Sequence, residues 1–464
     1  MNIYREQIVK PRLLKLLAGL SVGFLLFQFF LIRVFWKRDE VQNTVDTSKQ
    51  AHVHVKPLQE PAQPAVANAV KIFVSACAEL NIPVFLLEVD ILSSLTPDKS
   101  PPTTFSNGCL FGCRQHVTFG CYYKYWDTQG IVQLLKSDFA IHSIRQADPR
   151  LHHDTIPTHF FLLDRGHKQP TAIQVVMFHS RLGSYFWHGA ITPLSRLNRI
   201  LPSTSSVTIY FGLYAGAYKK FEVDDVQVDN VTVKVPQPPD SFVQQIPHSR
   251  FIECNETQAT KFAAQYGIDN SDISQKFQRK ARQVMAKGKQ LLDSLEIRFW
   301  LSSGTCLGWF RQCGIIPHSK DVDLGIWISD YNPQLIPTFQ ENGFKLKHMF
   351  GKISDSFELS FSAGDIKLDL FFFYDTPNYM WNGGTQAKTG NKYKYIFPRF
   401  TLCWTEFLDL RVRVPCDTLA YIEANYGPNW FRPVTEWDWK KSPSNVKENG
   451  VWPEKEWDQV IQVF

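Results

Sequence analysis

Residues 16–32, LLAGLSVGFLLFQFFLI, are 17 consecutive uncharged and mostly apolar positions near the start of a 464-residue chain. A helix that crosses a bilayer needs about 20 apolar residues, with about 17 as the lower limit. Val34, Phe35 and Trp36 prolong the run past Arg33, whose long side chain can snorkel, and Trp36 suits the membrane interface. A cleaved signal peptide calls for small residues after the apolar run, but this one ends Phe29, Phe30, Leu31, Ile32, Arg33. A buried core helix fits poorly with a position at the extreme N-terminus between basic residues. The reading is an uncleaved transmembrane signal-anchor over residues 16–36, with residues 1–15 as a cytosolic tail. Arg5, Lys10, Arg12 and Lys15 precede the span, and Arg33, Lys37 and Arg38 follow it. The basic excess therefore leans toward a cytosolic N-terminus, as in a single-pass type II protein. The sequons at Asn230 and Asn255 are glycosylated only if the bulk of the chain is lumenal. The span is short for a plasma membrane and favours an early secretory one.

Beyond the anchor, residues 37–65 carry Gln, Asn, Thr, Ser and Pro without an apolar period and read as a stem. Residues 66–245 alternate short apolar runs with turn signals. Strands are expected at 82–87, 158–163, 172–178 and 207–211, giving a β-rich domain without a nameable chemical motif. Within it, His152-His153 and Asp224-Asp225 read as solvated loop pairs. Prolines at 236, 238 and 239 mark a boundary. In residues 246–464 a helix is expected over 272–294, where Phe277, Ala281, Val284, Gly288, Leu291 and Leu295 recur on one face. A strand at 298–301, a small-residue turn and a helix over 305–311 follow. The fold class is α/β (α+β): a transmembrane helix, a β-rich stem-proximal domain, and a C-terminal nucleotidyltransferase-like domain with a mixed sheet and flanking helices.

The chemistry concentrates in Lys320-Asp-Val-Asp-Leu-Gly-Ile-Trp327. As a strand, it puts Asp321 and Asp323 on one face and Val322, Leu324 and Ile326 on the other. Two carboxylates held together repel, and a divalent cation relieves them; Mg²⁺ typically takes a few carboxylates plus substrate phosphates. A second strand, at 365–374, carries Asp369 in an otherwise apolar run, where an acid is costly unless it is paired or metal-bound. The alternatives are a salt bridge to Arg399 or to a lysine. Upstream, Ser303-Gly304-Thr305 opens a helix, a geometry that offers backbone N–H groups to phosphate. Together these are the plan of a metal-dependent nucleotide-phosphate enzyme using Mg²⁺ or Mn²⁺. His318 is a lone histidine beside the motif. Residues 381–388, with two glycines, read either as a mobile lid whose Lys388 reaches phosphate or as a plain hairpin.

These words also carry a resemblance. Trp300-Leu-Ser-Ser-Gly-Thr-Cys-Leu-Gly-Trp-Phe-Arg311, the 315–325 segment with its two aspartates, Lys367-Leu-Asp-Leu-Phe-Phe-Phe373 and Tyr421-Ile-Glu-Ala-Asn-Tyr-Gly427 resemble the LicD family of phosphotransferases. Residues 247–254, 380–390 and 400–406 resemble its fukutin-like members more closely. The resemblance implies transfer of ribitol 5-phosphate from CDP-ribitol to a phosphorylated O-mannosyl glycan of α-dystroglycan, with release of CMP, in the Golgi lumen. It implies that Asp321 and Asp323 hold the metal and that Asp369 completes the site or acts as a base. Gly304, Thr305 and Arg311 would lie on the phosphate side. Many LicD sequences have a further aspartate where this chain has Lys320, which makes Lys320 a phosphate contact. Implied partners are fukutin-related protein and other Golgi glycosyltransferases.

Two rival readings stand beside this one: a DxD glycosyltransferase using a nucleotide sugar, and a non-catalytic scaffold of a glycosyltransferase complex. A net charge of +6, with no long basic block interleaved with aromatics, disfavours nucleic-acid binding. Nine cysteines without a CxxC pair disfavour a zinc ribbon and, in an oxidising lumen, leave at least one thiol unpaired within the chain. Cys109, Cys113 and Cys121 are expected to supply a structural disulfide. Many of the 13 tryptophans lie in the last third, where they either line a binding site or pack a core.

Overall fold

The helix expected from apolar spacing is present as α1, Asp272–Ser294, capped by the Ser271 hydroxyl, which accepts a hydrogen bond from the Ser274 N–H. The computed structural model describes residues 64–95, 114–148, 154–166, 171–201, 210–228, 230–317, 319–434 and 436–464. The anchor at 16–36, Cys109, Cys113, His152, His153 and His318 lie outside the described residues, as do most of the stem and residues 207–209 of the last expected N-terminal strand. No described helix is long and apolar enough to cross a membrane. The described residues belong to one compact unit, Pro61–Phe464.

The buried face of α1 (Ala281, Val284, Gly288, Leu291) lies over a nine-stranded mixed sheet. At Gly288 a Cβ would sit 3.1 Å from Leu368, so the missing side chain sets how closely helix and sheet approach. In chain order the strands are β1 Phe299–Leu301, β2 Asp321–Trp327, β3 Lys345–Lys352, β4 Asp355–Ala363, β5 Ile366–Asp375, β6 Met380–Thr385, β7 Asn391–Phe397, β8 Val446–Val451 and β9 Ile461–Val463. β5 is central. It pairs parallel with β2, which pairs with β1, and antiparallel with β4 and with the start of β6. Helix α2, Ser303–Gln312, connects β1 to β2. Helix α3, Thr418–Tyr426, packs against α2 and β7.

The other sheet has twelve strands. Thr155–Asp164 and Ala172–Arg181 match expected strands, and Val84–Leu86 is a shortened form of the first. Two readings of this half need correction. A helix, Pro64–Glu79, begins where the stem was expected to end, and its apolar residues Val66, Val70 and Phe73 are buried in the core. Asp224 and Asp225 are exposed on a strand, Glu222–Val228, and are not in a loop. The sheet runs through Tyr185–His188, Ala215–Lys219 and Arg250–Phe251 to the hairpin Leu402–Phe407/Leu410–Pro415, which is late in the chain. Sequence-distant segments thus share one ladder, and the Tyr185 hydroxyl donates to Glu406 at 2.7 Å across it.

Two disulfides join Cys254 to Cys313 and Cys403 to Cys416. Cys121, Cys77 and Cys306 are buried free thiols, so Cys121 takes no part in the disulfide expected of the Cys109, Cys113 and Cys121 group. In the site-bearing sheet, a Cβ on Gly325 of β2 would lie 2.3 Å from the Trp300 ring, which is fully buried against Phe373 and Phe400. Gly325→Ala is therefore expected to destabilise the protein by about 1–3 kcal/mol through overpacking. Thermal unfolding of the purified variant checks this, and an unchanged Tm would mean that Trp300 has room to move aside.

Candidate active site

The parallel register of β2 on β5 places Asp321 opposite Lys367 and Asp323 opposite Asp369. Period-two alternation then aims all four side chains at the same face of the sheet. Carboxylate oxygens of Asp321, Asp323 and Asp369 all lie within 4.8 Å of one another. Asp323 and Asp369 are buried and Asp321 is half-buried. They line a cavity of about 680 Å³.

The turn before α2 is bolted to this face. The Ser302 N–H donates to the Asp323 carbonyl at 3.0 Å, the Asp323 N–H donates to the Thr305 hydroxyl at 2.8 Å, and the Gly304 N–H donates to the Asp323 carboxylate at 3.1 Å. Ser303, with φ of 41°, makes the sharp entry to the helix. Ser319 donates to Asp321 at 2.6 Å. Asp369 accepts from the Ser360 hydroxyl at 2.6 Å and from Lys367 Nζ at 2.8 Å, so both of its oxygens are engaged.

Burial, then the charges of Asp321 and Asp369, push the Asp323 carboxyl well above the usual carboxylate range. Burial also raises Asp369, against the pull of Lys367. Of the three acids only Asp369 has an ion pair among the described residues, with Lys367, and the set is one of hard oxygens that fits a divalent cation. Cys254, Glu256 and Cys313 also cluster, but the two sulfurs are consumed by their disulfide.

The other expected residues divide. Gly304, Arg311 and Lys320 line the cavity. Arg311 is buried, stacks 4.6 Å from the Phe262 ring centre and is lowered to about 10 by burial, so it stays charged at neutral pH. Its Nε has no partner among the described residues. Thr305 does not line the cavity; its hydroxyl faces the backbone of β2 and serves as a brace. Lys388 is exposed in the turn between β6 and β7, away from the lining residues. The lid reading of residues 381–388 yields to a hairpin, because β6 is paired along its length with β7. Its two glycines serve close approach: a Cβ on Gly383 would meet Ser356 at 2.2 Å, and one on Gly384 would meet Trp439 at 3.1 Å. The salt-bridge alternative for Asp369 is realised with Lys367, whereas Arg399 pairs with Asp375. Asn230 and Asn255 are both exposed, Asn255 as the N-cap of Glu256–Tyr266.

Sequence reasoning did not single out Lys367, Ser360, or the His348–Glu358 pair at 3.2 Å, all on the same sheet face. The period-two rule applied to 367/369 would have found Lys367.

A family model described as "Fukutin N-terminal" matches residues 5–282, and one described as "LicD/FKTN/FKRP, nucleotidyltransferase domain" matches residues 296–417. The chain is 42% identical over 475 aligned residues to Ribitol-5-phosphate transferase FKTN of Mus musculus, spanning 99% of this chain and 100% of that protein. The Homo sapiens protein of the same name matches at the same identity and coverage. An uncharacterized Caenorhabditis elegans protein is 30% identical over 199 residues, spanning 40% of this chain and 51% of its own length.

The raised carboxyl of Asp323 has a thermodynamic signature. Between the usual carboxylate range and its own raised pKa, the folded state holds a proton that the unfolded state has released. Metal-free stability from this group therefore falls as pH rises through that window, and a cation that displaces the proton binds better at higher pH. Mn²⁺ is expected to raise Tm by an amount that grows as pH rises from the usual carboxylate range to neutrality and above, because the raised carboxyl of Asp323 gives up its proton over that span. Asp323→Asn is expected to abolish the increment without lowering the metal-free Tm, as scanning fluorimetry would read.

Proposed function

This chain belongs to the fukutin family, and from that membership we propose that it is a ribitol-5-phosphate transferase. The observation that carries this beyond family membership is the buried acidic trio Asp321, Asp323 and Asp369 at the wall of a cavity with a charged, partly unpartnered Arg311. The donor is CDP-ribitol and the acceptor a phosphorylated O-mannosyl glycan of α-dystroglycan. An acceptor hydroxyl attacks the phosphorus that bears ribitol, a new P–O bond forms, the diphosphate P–O bond breaks, and CMP departs. Such transfers need alignment and charge neutralisation more than covalent help.

A divalent cation, Mg²⁺ or Mn²⁺, held by Asp321, Asp323 and Asp369, would neutralise the diphosphate when bound. The protein's own part is positioning. Ser319, the Gly304 N–H, Ser360 and Lys367 fix the three carboxylates in place. Arg311, buried where it lines the cavity, contributes a positive charge that favours anionic phosphate oxygens there. Lys320, exposed where it lines the cavity, adds a second positive charge. With both oxygens of Asp369 already accepting hydrogen bonds, its role is that of a ligand, in preference to a free base.

The remaining parts of the reading extend this one. The apolar run at 16–32 within the anchor 16–36 holds the chain in the Golgi membrane as a single-pass type II protein, with the stem from residue 37 and all that follows it lumenal. The two disulfides support an oxidising compartment. Asn230 and Asn255 carry N-glycans. Fukutin-related protein and other Golgi glycosyltransferases are the proposed partners.

The test is mass spectrometry of a phosphorylated O-mannosyl glycopeptide incubated with the purified chain, CDP-ribitol and Mg²⁺ or Mn²⁺. The expected product gains one ribitol phosphate, and EDTA stops the gain. Asp321→Ala and Asp323→Ala are each expected to cost at least about 10²–10³-fold in turnover while still folding. Turnover of a UDP- or GDP-sugar with CDP-ribitol ignored would replace this reading by the glycosyltransferase one.

A further inference from the structure

Residues 427–445, between α3 and β8, contain no helix or strand among the described residues, yet they furnish Asn429, Trp430, Arg432, Val434, Trp437 and Trp439 to the wall of the cavity. A loop that long inside a compact unit is uncommon unless it is functional. Trp437 and Trp439 are 43% and 40% exposed, so each indole keeps an open face although it lines a cavity. Neither is loosely placed. Trp437 packs on Tyr426 with ring centres 5.0 Å apart. Trp439 stands edge-on to Tyr393 at 5.3 Å, its carbonyl accepts from the Tyr395 hydroxyl at 2.9 Å, and its ring rests where a side chain on Gly384 would lie. The loop is also tied down beyond them, with the Ser444 N–H on the Asn425 carbonyl at 2.9 Å and Asn445 Nδ2 on the Ile396 carbonyl at 2.9 Å.

We propose that Trp437 and Trp439 form a fixed stacking platform for the saccharide of the acceptor, and that Arg432 takes an anionic group on it; this deepens the transferase reading and rests on it. An indole held rigid with one free face offers apolar area at low entropic cost, and it suits the C–H face of a pyranose ring. Neither indole N–H is bonded to another described residue, so each is free to donate to a hydroxyl. Arg432 is exposed, lines the same cavity and has no ion pair among the described residues, which complements a phosphorylated glycan. The donor's diphosphate has its place beside the acidic trio. The acceptor, carried on a protein, must enter from solvent, and the open indole faces are on the solvent side. The rival occupant is the donor's cytosine.

The experiment uses the full-length chain in detergent with a phosphorylated O-mannosyl glycopeptide and CDP-ribitol, comparing wild type with Trp437→Ala, Trp439→Ala and Trp439→Phe. The expected result is an acceptor KM raised about tenfold in each alanine variant, with donor KM and CDP affinity within about twofold of wild type. Trp439→Phe, which keeps a ring on Gly384, should recover most of the loss. A raised donor KM or lost CDP binding would overturn the proposal in favour of base stacking, and unchanged constants would overturn it outright. Quenching of tryptophan fluorescence by the glycopeptide separates this from the transferase reading. Quenching in wild type but not in the alanine variants, with CDP-ribitol inert, would sink the transferase reading and leave the platform standing. No quenching in wild type would overturn the platform.

Discussion

Asp323 and Asp369 stand side by side across a parallel strand pair, both buried, and their carboxyl groups lie within reach of Asp321. In a low-dielectric interior such an arrangement is expensive, and it persists only where the surroundings repay it. Here the surroundings are organised to do so. The backbone of Asp323 is clamped on both sides by Ser302 and Thr305, which ties the entry of α2 to β2. Ser360 from β4 and Lys367 from β5 engage Asp369. The glycine at 325 lets the Trp300 ring pack against the same face of β2 that carries the acids, farther along the strand, and the glycine at 288 lets α1 approach β5 on the opposite face. The core beneath the sheet and the polar face above it are set by the same register, so a slip of one residue would bury the wrong side of β2.

The parts legible in the sequence are those governed by one local period. α1 follows from 3.6-residue spacing, and its bounds agree with the expected ones. Asp321 and Asp323 on one face, with Val322, Leu324 and Ile326 buried beneath, follow from a period of two. What escaped depends on pairing between distant segments. Nothing local in 381–388 reveals that Gly384 makes room for Trp439, fifty-five residues later, so the sequence leaves lid and hairpin both open where the glycines serve packing. Thr305 sits where a phosphate contact was expected, but its hydroxyl is spent on the backbone of β2. The helix Pro64–Glu79 was hidden because a proline at its first position resembles the end of a polar stem. The tryptophans of the last third split both ways: Trp452 is buried, whereas Trp437 and Trp439 line the cavity.

The N-terminal half is more than a spacer. Its sheet continues through Arg250–Phe251 into the hairpin Leu402–Phe407/Leu410–Pro415, and that hairpin contacts β1 beside the site. Cys254–Cys313 closes the C-terminal end of α2, and Cys403–Cys416 closes the hairpin just before α3. The elements carrying the acids, the cavity wall and the long loop are therefore braced from the N-terminal half. The similarity to the mouse and human transferases likewise spans 99% of the chain rather than the site-bearing half alone. A pure scaffold would not need three converging acids with each carboxylate individually hydrogen-bonded.

The most direct test of this account is a crystal structure of the protein soaked with Mn²⁺ and CDP, with anomalous diffraction to locate the metal. The account predicts an anomalous peak bonded to carboxylate oxygens of Asp321, Asp323 and Asp369, with the diphosphate of CDP against it and Arg311 facing the phosphates. CDP bound in the cavity with no peak at the three carboxylates, or a peak held by other residues, would contradict it.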